Sequence, residues 1–268
     1  MPKTRKKFEI NLAPGQKAYF VSDVHLGWPD ENTSREREKK FVEWLEHIEK
    51  DAGALFLVGD IFDFWFDYRH AVPRNFTRTL GQLARMADKG IKLFFFFGNH
   101  DMWIKDYFAR ETGMEIIPDD AEVLINGTKI YIAHGDGLGP GDKNYKRLKK
   151  LFRHPVAQWL YRWLHPDIGI PLAGSFSRMS RQSAHPKISR FRGPDKEHLI
   201  IHSRKILENE HFDYFIFGHR HHTVTYELKP GSIYVNLGDW IQYFSHAEMD
   251  SRGEIKLHTK TNESYIKI

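Results

Sequence analysis

The chain predicts an α/β layered fold, on three observations. Six short apolar runs rich in β-branched and aromatic residues have the length of buried strands. Amphipathic helical patterns fall between several of them. One long internal stretch breaks that alternation and carries helical pattern alone.

In chain order, the first strand is Ala18 to Ser22, and Phe41, Trp44, Leu45 and Ile48 then recur at helix spacing. Ala54 to Val58 is the second strand, and Phe76, Leu80, Leu83 and Met86 mark the helix after it. Leu93 to Phe97 and Ile130 to Ala133 follow as strands. From about Gly139 to Ser203 the strand pattern stops. There Phe152, Val156, Trp159, Leu160, Trp163 and Leu164 share one helical face, and His165-Pro166 is expected to end that helix. Ile168, Ile170, Leu172, Phe176 and Met179 form a second apolar patch. Strands return at Tyr214 to Phe217 and Ile233 to Leu237. The expected organisation is a core made of residues 1–138 and 204–268, with a helical insertion at 139–203.

The length of 268 residues suits one large domain carrying such an insertion, and a hydrophobic fraction of 41% supports a real core. There is no cysteine, so disulfides are excluded and a metal site would draw on His, Asp, Glu or Asn; 16 His residues are at hand. The basic N-terminal stretch Met1 to Lys7 is not followed by an apolar segment of the signal-peptide kind, and the longest apolar runs are too short to cross a bilayer. A soluble, cytoplasmic protein is expected. Net charge is +5, but between Lys143 and Lys205 there are 15 Lys and Arg against 3 Asp and Glu. A basic segment in an acidic body suits nucleic acid, a phosphorylated ligand or an anionic membrane, or forms a plain solvated face.

Five short motifs carry the chemistry, and each begins where an expected strand ends. They are Ser22-Asp23-Val24-His25, Gly59-Asp60-Ile61-Phe62-Asp63, Gly98-Asn99-His100-Asp101, Ala133-His134-Gly135-Asp136 and Gly218-His219-Arg220-His221. Alone, each reads as a turn or an incidental pair. Together they matter, because ligands in open α/β sheets bind beyond the carboxyl ends of strands. Carboxylate, amide and imidazole form a mixed oxygen and nitrogen shell, which suits Mn²⁺, Fe²⁺ or Zn²⁺ better than Mg²⁺ or Ca²⁺. Two such ions about 3.5–4 Å apart need a shared ligand, and a carboxylate has two oxygens to offer.

These five motifs resemble the signature of the calcineurin-like metallophosphoesterase superfamily across most of the chain outside the insertion. The resemblance implies a four-layer sandwich of two mixed sheets flanked by helices, with the insertion as a lid. It implies one ion held by Asp23, His25 and His221, a second held by Asn99, His134 and His219, and Asp60 bridging them. It implies attack by metal-activated water, with His100 assisting at the leaving group or steadying the transition state. Asp101 is expected to orient His100, and Asp63 to support the ligands from behind.

The insertion is similar to that of the UDP-2,3-diacylglucosamine pyrophosphohydrolases of lipid A synthesis. Lys143-Asn144-Tyr145, Pro171, Arg178-Met179 and Arg181 to Ser183 carry this likeness, together with Ala109 to Met114 and Ile132 to Leu138. It implies Mn²⁺-dependent hydrolysis of a lipid-linked sugar nucleotide to UMP and an acylated sugar 1-phosphate at the inner membrane surface. Tyr145, Trp159, Trp163, Arg178, Arg181 and Ser183 are then the expected substrate contacts. The chain departs from that family at His100, where Arg is usual, and at Arg220, where Thr is common. From the residues alone, the Trp159–Leu164 face receives lipid tails or packs the insertion on the body. Two other functions stay open: a soluble metal-dependent phosphodiesterase or nuclease, and a non-catalytic scaffold, against which the full ligand set argues. No stable nucleic-acid partner is expected.

Overall fold

The computed structural model describes residues 5–140, 143–175, 177, 191, 193–260 and 265–267. All six expected strands form, and two sheets face each other. The first sheet has the order β1 (Lys6–Ile10), β6 (Ala121–Ile125), β7 (Thr128–Ala133), β8 (Tyr214–Phe217), β10 (Ser232–Leu237), β9 (Thr223–Lys229) and β13 (Tyr265–Lys267). The second runs β12 (Ile255–His258), β11 (His246–Met249), β2 (Lys17–Val21), β3 (Ala52–Val58), β4 (Lys92–Phe96) and β5 (Glu115–Ile117).

Alternation along the strands builds the layers. Phe20, Phe56 and Phe94 are register partners on β2, β3 and β4, and their rings stack at 4.8 and 4.7 Å. They point between the sheets, against Val123, Ile130, Ile132 and Val235 of the first sheet. The intervening Tyr19, Leu55, Leu57 and Phe95 point outward under α1 (Glu31–Ile48), α2 (Thr77–Asp88) and α3 (Tyr107–Thr112). Both faces of β3 are therefore covered, which explains its unbroken apolar run. On the far side, α7 (His198–Leu207) covers the first sheet through Leu199 and Ile200. Helix, sheet, sheet, helix is the expected four-layer order. Because α7 belongs to this core, the body is entered again at His198, ahead of the expected boundary at 204.

Two sets of adjacent parallel strands position the site. In the second sheet β2, β3 and β4 run parallel, and in the first β7, β8 and β10 do. Their carboxyl ends carry the motifs.

Between β7 and α7 lie α4 (Lys143–Phe152), α5 (Pro155–Arg162) and a further helical segment, α6, over 166–175. The single helix expected through Phe152 and Leu164 is instead broken at His154-Pro155. Pro155 has no N–H to give α4, but it suits the first position of α5, where the His154 ring accepts from Val156 N. α6 starts at Pro166 for the same reason. Tyr161 docks the insertion on the body, 4.6 Å from Trp103 and 4.8 Å from Phe66, and Arg153 pairs with Asp119 at 2.6 Å. No helix among the described residues is long and apolar enough to cross a membrane.

Candidate metal centre

Each strand exit turns sharply, and the backbone records it. Asp23, His25, Asp60, His219 and His221 all have left-handed φ angles between 49° and 66°. That conformation costs a non-glycine residue about 1–3 kcal/mol and persists where the surroundings over-determine it. Glycine is required next to these residues by close approach. A Cβ on Gly98 would fall inside the Asp60 carboxylate, and one on Gly218 would lie 2.6 Å from Asp23 Oδ2.

Hydrogen bonds then tie the strand exits together, one between the two sheets and one within the second. Asp23 Oδ2 accepts from His219 N at 2.8 Å, and Asp60 Oδ1 accepts from His100 N at 2.8 Å. The remaining oxygens face imidazoles. Asp23 Oδ1 lies 3.6 Å from His25 Nε2 and 3.3 Å from His221 Nε2. Asp60 Oδ2 lies 3.4 Å from His134 Nε2 and 3.8 Å from His25 Nε2. Asn99 Oδ1 is 3.4 Å from His134 Nε2. Asp23, His25 and His221 thus form one cluster and Asp60, His134 and His219 another, with Asp60 in reach of both.

The tautomers decide what this arrangement can hold. His134 Nδ1 lies 2.8 Å from Val58 O, and His221 Nδ1 lies 3.2 Å from Asp239 Oδ2. Those oxygens only accept, so both Nδ1 atoms carry a proton, and in the neutral rings both Nε2 atoms present lone pairs. The lone pairs face carboxylate oxygens, and Asp23 Oδ1 is buried without a hydrogen-bond partner among the described residues. Acceptors facing acceptors in a buried site need a cation between them. The donor set therefore fits divalent metal ions.

A family model for the calcineurin-like phosphoesterases matches residues 17–223, spanning every member of the two clusters and Asn99. The chain belongs to that family. It is similar to proteins named UDP-2,3-diacylglucosamine hydrolase. That of Porphyromonas gingivalis is 37% identical over 246 residues, covering 87% of this chain and 94% of the relative. That of Actinobacillus succinogenes is 27% identical over 224 residues, covering 84% and 92%. That of Shewanella piezotolerans is 27% identical over 226 residues, covering 84% and 91%.

The electrostatics of this phosphoesterase agree with the geometry. Burial disfavours a charged His134, yet Asp60, with Asp23 and Asp136 beside it, raises the ring to about 10. Burial and the neighbouring His134 push His219 down to about 3. The carboxylates thus call for positive charge beside His134 Nε2, which a divalent ion supplies.

Around the ligands the structure departs from expectation in places. Asp101 does not hold the His100 ring. Its carboxylate accepts from Gly98 N at 2.9 Å and Ile61 N at 2.8 Å, bracing two ligand turns against each other, and burial followed by the nearby Asp60 charge raises it to about 7. The His100 ring is held at Nδ1, 3.1 Å from Asp63 O and 2.9 Å from Ser177 Oγ, with Nε2 4.0 Å from Asp60 Oδ2. Asp63 does stand behind the ligands, 3.6 Å from His25 Nδ1.

Three supporting residues were not anticipated. Asp239 orients His221 while its other oxygen accepts from Ile241, Gln242 and Tyr243 N. Its signal was available, since Gly238-Asp239 at the end of β10 repeats the Gly59-Asp60 pattern. Buried Arg37 of α1 donates to His25 O and Trp28 O, both at 2.9 Å, and no local motif announces it. Ser177 is the third. Arg220, between two ligands, pairs at 2.9 Å with buried Glu197 at the head of α7.

Of the expected substrate contacts, Tyr145 donates its hydroxyl to Asp136 Oδ2 at 2.5 Å, beside Lys149, and so clamps α4 to the β7 exit. Trp159 and Trp163 are 55% and 74% exposed, with rings edge to face at 6.0 Å. They do not pack the insertion on the body. Arg178, Arg181 and Ser183 lie outside the described residues.

Proposed function

We propose that this phosphoesterase hydrolyses the pyrophosphate of UDP-2,3-diacylglucosamine, or a close lipid-linked sugar nucleotide, to UMP and the acylated sugar 1-phosphate. It would do so at the cytoplasmic face of the inner membrane. One observation carries the lipid part of the reading. Every exposed large hydrophobic side chain among the described residues falls between Leu148 and Leu172, on the insertion whose Ser177 touches His100 beside the metal ligands. A diacylated substrate has its reacting phosphates within a few bonds of its tails, and each CH₂ buried against such a face is worth about 0.8 kcal/mol. A nucleic-acid groove would instead offer flat aromatic platforms along a basic channel; this run is largely aliphatic.

In this reading Asp23, His25 and His221 would hold one ion and Asn99, His134 and His219 the other, with Asp60, in reach of both clusters, as the shared ligand. Mn²⁺ is the expected metal. Bound there, the pair supplies Lewis acidity to the phosphoryl oxygens and an activated water for in-line attack. The protein's own groups do the rest. Asp239 and Val58 O keep the imidazole lone pairs inward. Asp101, Arg37 and the glycine turns keep the ligand loops in place. His100, with its Nδ1 proton committed to Asp63 O, can donate from Nε2 to a phosphoryl or leaving oxygen when the ring is protonated. Trp159, Trp163 and their neighbours take the acyl chains or the bilayer surface.

The test is UMP release from diacylated UDP-glucosamine by purified protein supplied with Mn²⁺. Metal-dependent release supports the assignment. Absence of UMP, with brisk cleavage of a soluble nucleotide diester, would replace it with the phosphodiesterase reading.

A further inference from the structure

We propose that Ser177 is a positioning residue for His100, through which the insertion completes the catalytic centre when it is seated on the body. The inference rests on the role given to His100 above.

The body by itself does not fasten the His100 ring to the Asp63 carboxylate. Asp63 Oδ1 stands 3.8 Å from His100 Nδ1, beyond hydrogen-bond reach. Ser177 spans that gap. Its hydroxyl donates to Asp63 Oδ2 at 2.9 Å, which leaves its oxygen lone pairs to accept from His100 Nδ1–H, also at 2.9 Å. Asp63 O, at 3.1 Å from the same nitrogen, shares that proton. Carboxylate, hydroxyl and imidazole form a relay whose middle member comes from another part of the chain, 114 residues from Asp63 and 77 from His100. Such a relay fixes two things at once. It keeps the proton on Nδ1, so that Nε2 is the atom offered to the Asp60 side. It also fixes the ring's rotation, which a single bond to a backbone carbonyl leaves freer.

The serine has this position only because the insertion is anchored by other contacts. Tyr161 sits among Phe64, Phe66 and Trp103, Arg153 pairs with Asp119, and Tyr145 and Lys149 hold Asp136. None of these involves His100. The segment that offers lipid-facing surface thus also sets the residue that acts on the phosphate.

The experiment compares Ser177→Ala, Ser177→Thr and His100→Ala. In Ser177→Ala, kcat on diacylated UDP-glucosamine is expected to fall about 10-fold, the scale of lost supporting contacts at metal sites, with KM changed less than about twofold and bound metal unchanged. Ser177→Thr keeps the hydroxyl and should recover most of the loss. In the His100→Ala background, adding Ser177→Ala should cost nothing further, because the serine acts through the ring. A readout independent of turnover is ¹⁵N NMR of the ring nitrogens in metal-free protein, with His100 assigned as the signal missing from His100→Ala. Ser177→Ala should shift that signal away from a pure Nδ1–H tautomer. Wild-type turnover and an unchanged tautomer in Ser177→Ala overturn the proposal, as does an equal loss with and without His100. If His100→Ala itself keeps full turnover, the reading of His100 fails instead, and the two failures are told apart.

Discussion

His134 Nε2 stands 3.4 Å from Asp60 Oδ2 while the other nitrogen of its ring is held 2.8 Å from the Val58 carbonyl. In the neutral ring a lone pair is thereby aimed at a carboxylate, and a proton or a metal ion at Nε2 relieves the pair. Asp60 also reaches the His25 cluster, at 3.8 Å. Asp60→Ala should therefore lose both ions rather than one and reduce kcat/KM by at least about 10³. Metal analysis of the purified variant by mass spectrometry checks this; two retained ions would remove Asp60 as the bridge.

Removing metal should also be felt in stability. Buried Asp23 and Asp60 lose their counter-charge, and ligand binding to the native state alone contributes about 2.7 kcal/mol at a hundredfold excess over Kd. Chelator-treated protein should melt well below the Mn²⁺-supplied form and recover on re-addition. Identical melting curves would count against a built-in metal site.

Asp239 Oδ2 lies 3.2 Å from His221 Nδ1 and so orients that ligand. Asp239→Asn should weaken the metal held by His221 about 10–100-fold. Activity should return when Mn²⁺ is raised, which a mechanistic defect would not allow. A titration of activity against Mn²⁺ distinguishes the two.

His100→Ala should lower turnover by roughly 10²–10⁴, as for loss of a general acid or base. Metal content should stay as in the parent protein, because His100 Nε2 is 4.0 Å from Asp60 Oδ2 and the ligand set does not need it. Full turnover in this variant would end the assignment.

Exposure makes Trp159 and Trp163 safe to change. Replacing both with Ser should leave the melting temperature within a few degrees and hardly alter cleavage of a small chromogenic phosphodiester. The acylated substrate, and binding to vesicles of anionic phospholipid, should suffer by an order of magnitude or more. Equal losses on both substrates would mean that the pair serves the fold.

His246 gives a pH prediction away from the metals. Burial first, then His258, His47 and Lys17, push it down to about 3. The folded protein keeps it neutral while the unfolded chain protonates it below about 6.5. Stability from this residue is thus whole above that value and falls as pH drops toward about 3, by up to about 1.4 kcal/mol per pH unit. His246→Phe, which keeps a ring against Tyr19 and Trp44, should flatten the fall in melting temperature between pH 6.5 and 4. An unchanged slope would place the acid sensitivity elsewhere.

The amino-acid sequence by itself determined the strands that matter and the ligands at their ends. Runs such as Ala54 to Val58 are written in local composition, and a turn that must expose Asp60 or His219 leaves a glycine beside it. Strands β1, β5, β6, β9, β11, β12 and β13 carried weaker patterns and were not foreseen, and Pro155 split a helix whose apolar face looked continuous. Only the tertiary structure decided that Asp101 braces backbone instead of a ring, that Asp239 stands behind His221, and that Ser177 reaches His100. Those partnerships depend on sheet order and on how an insertion is seated, and a side chain's neighbour 77 residues away leaves no periodicity in the chain for a reader to detect.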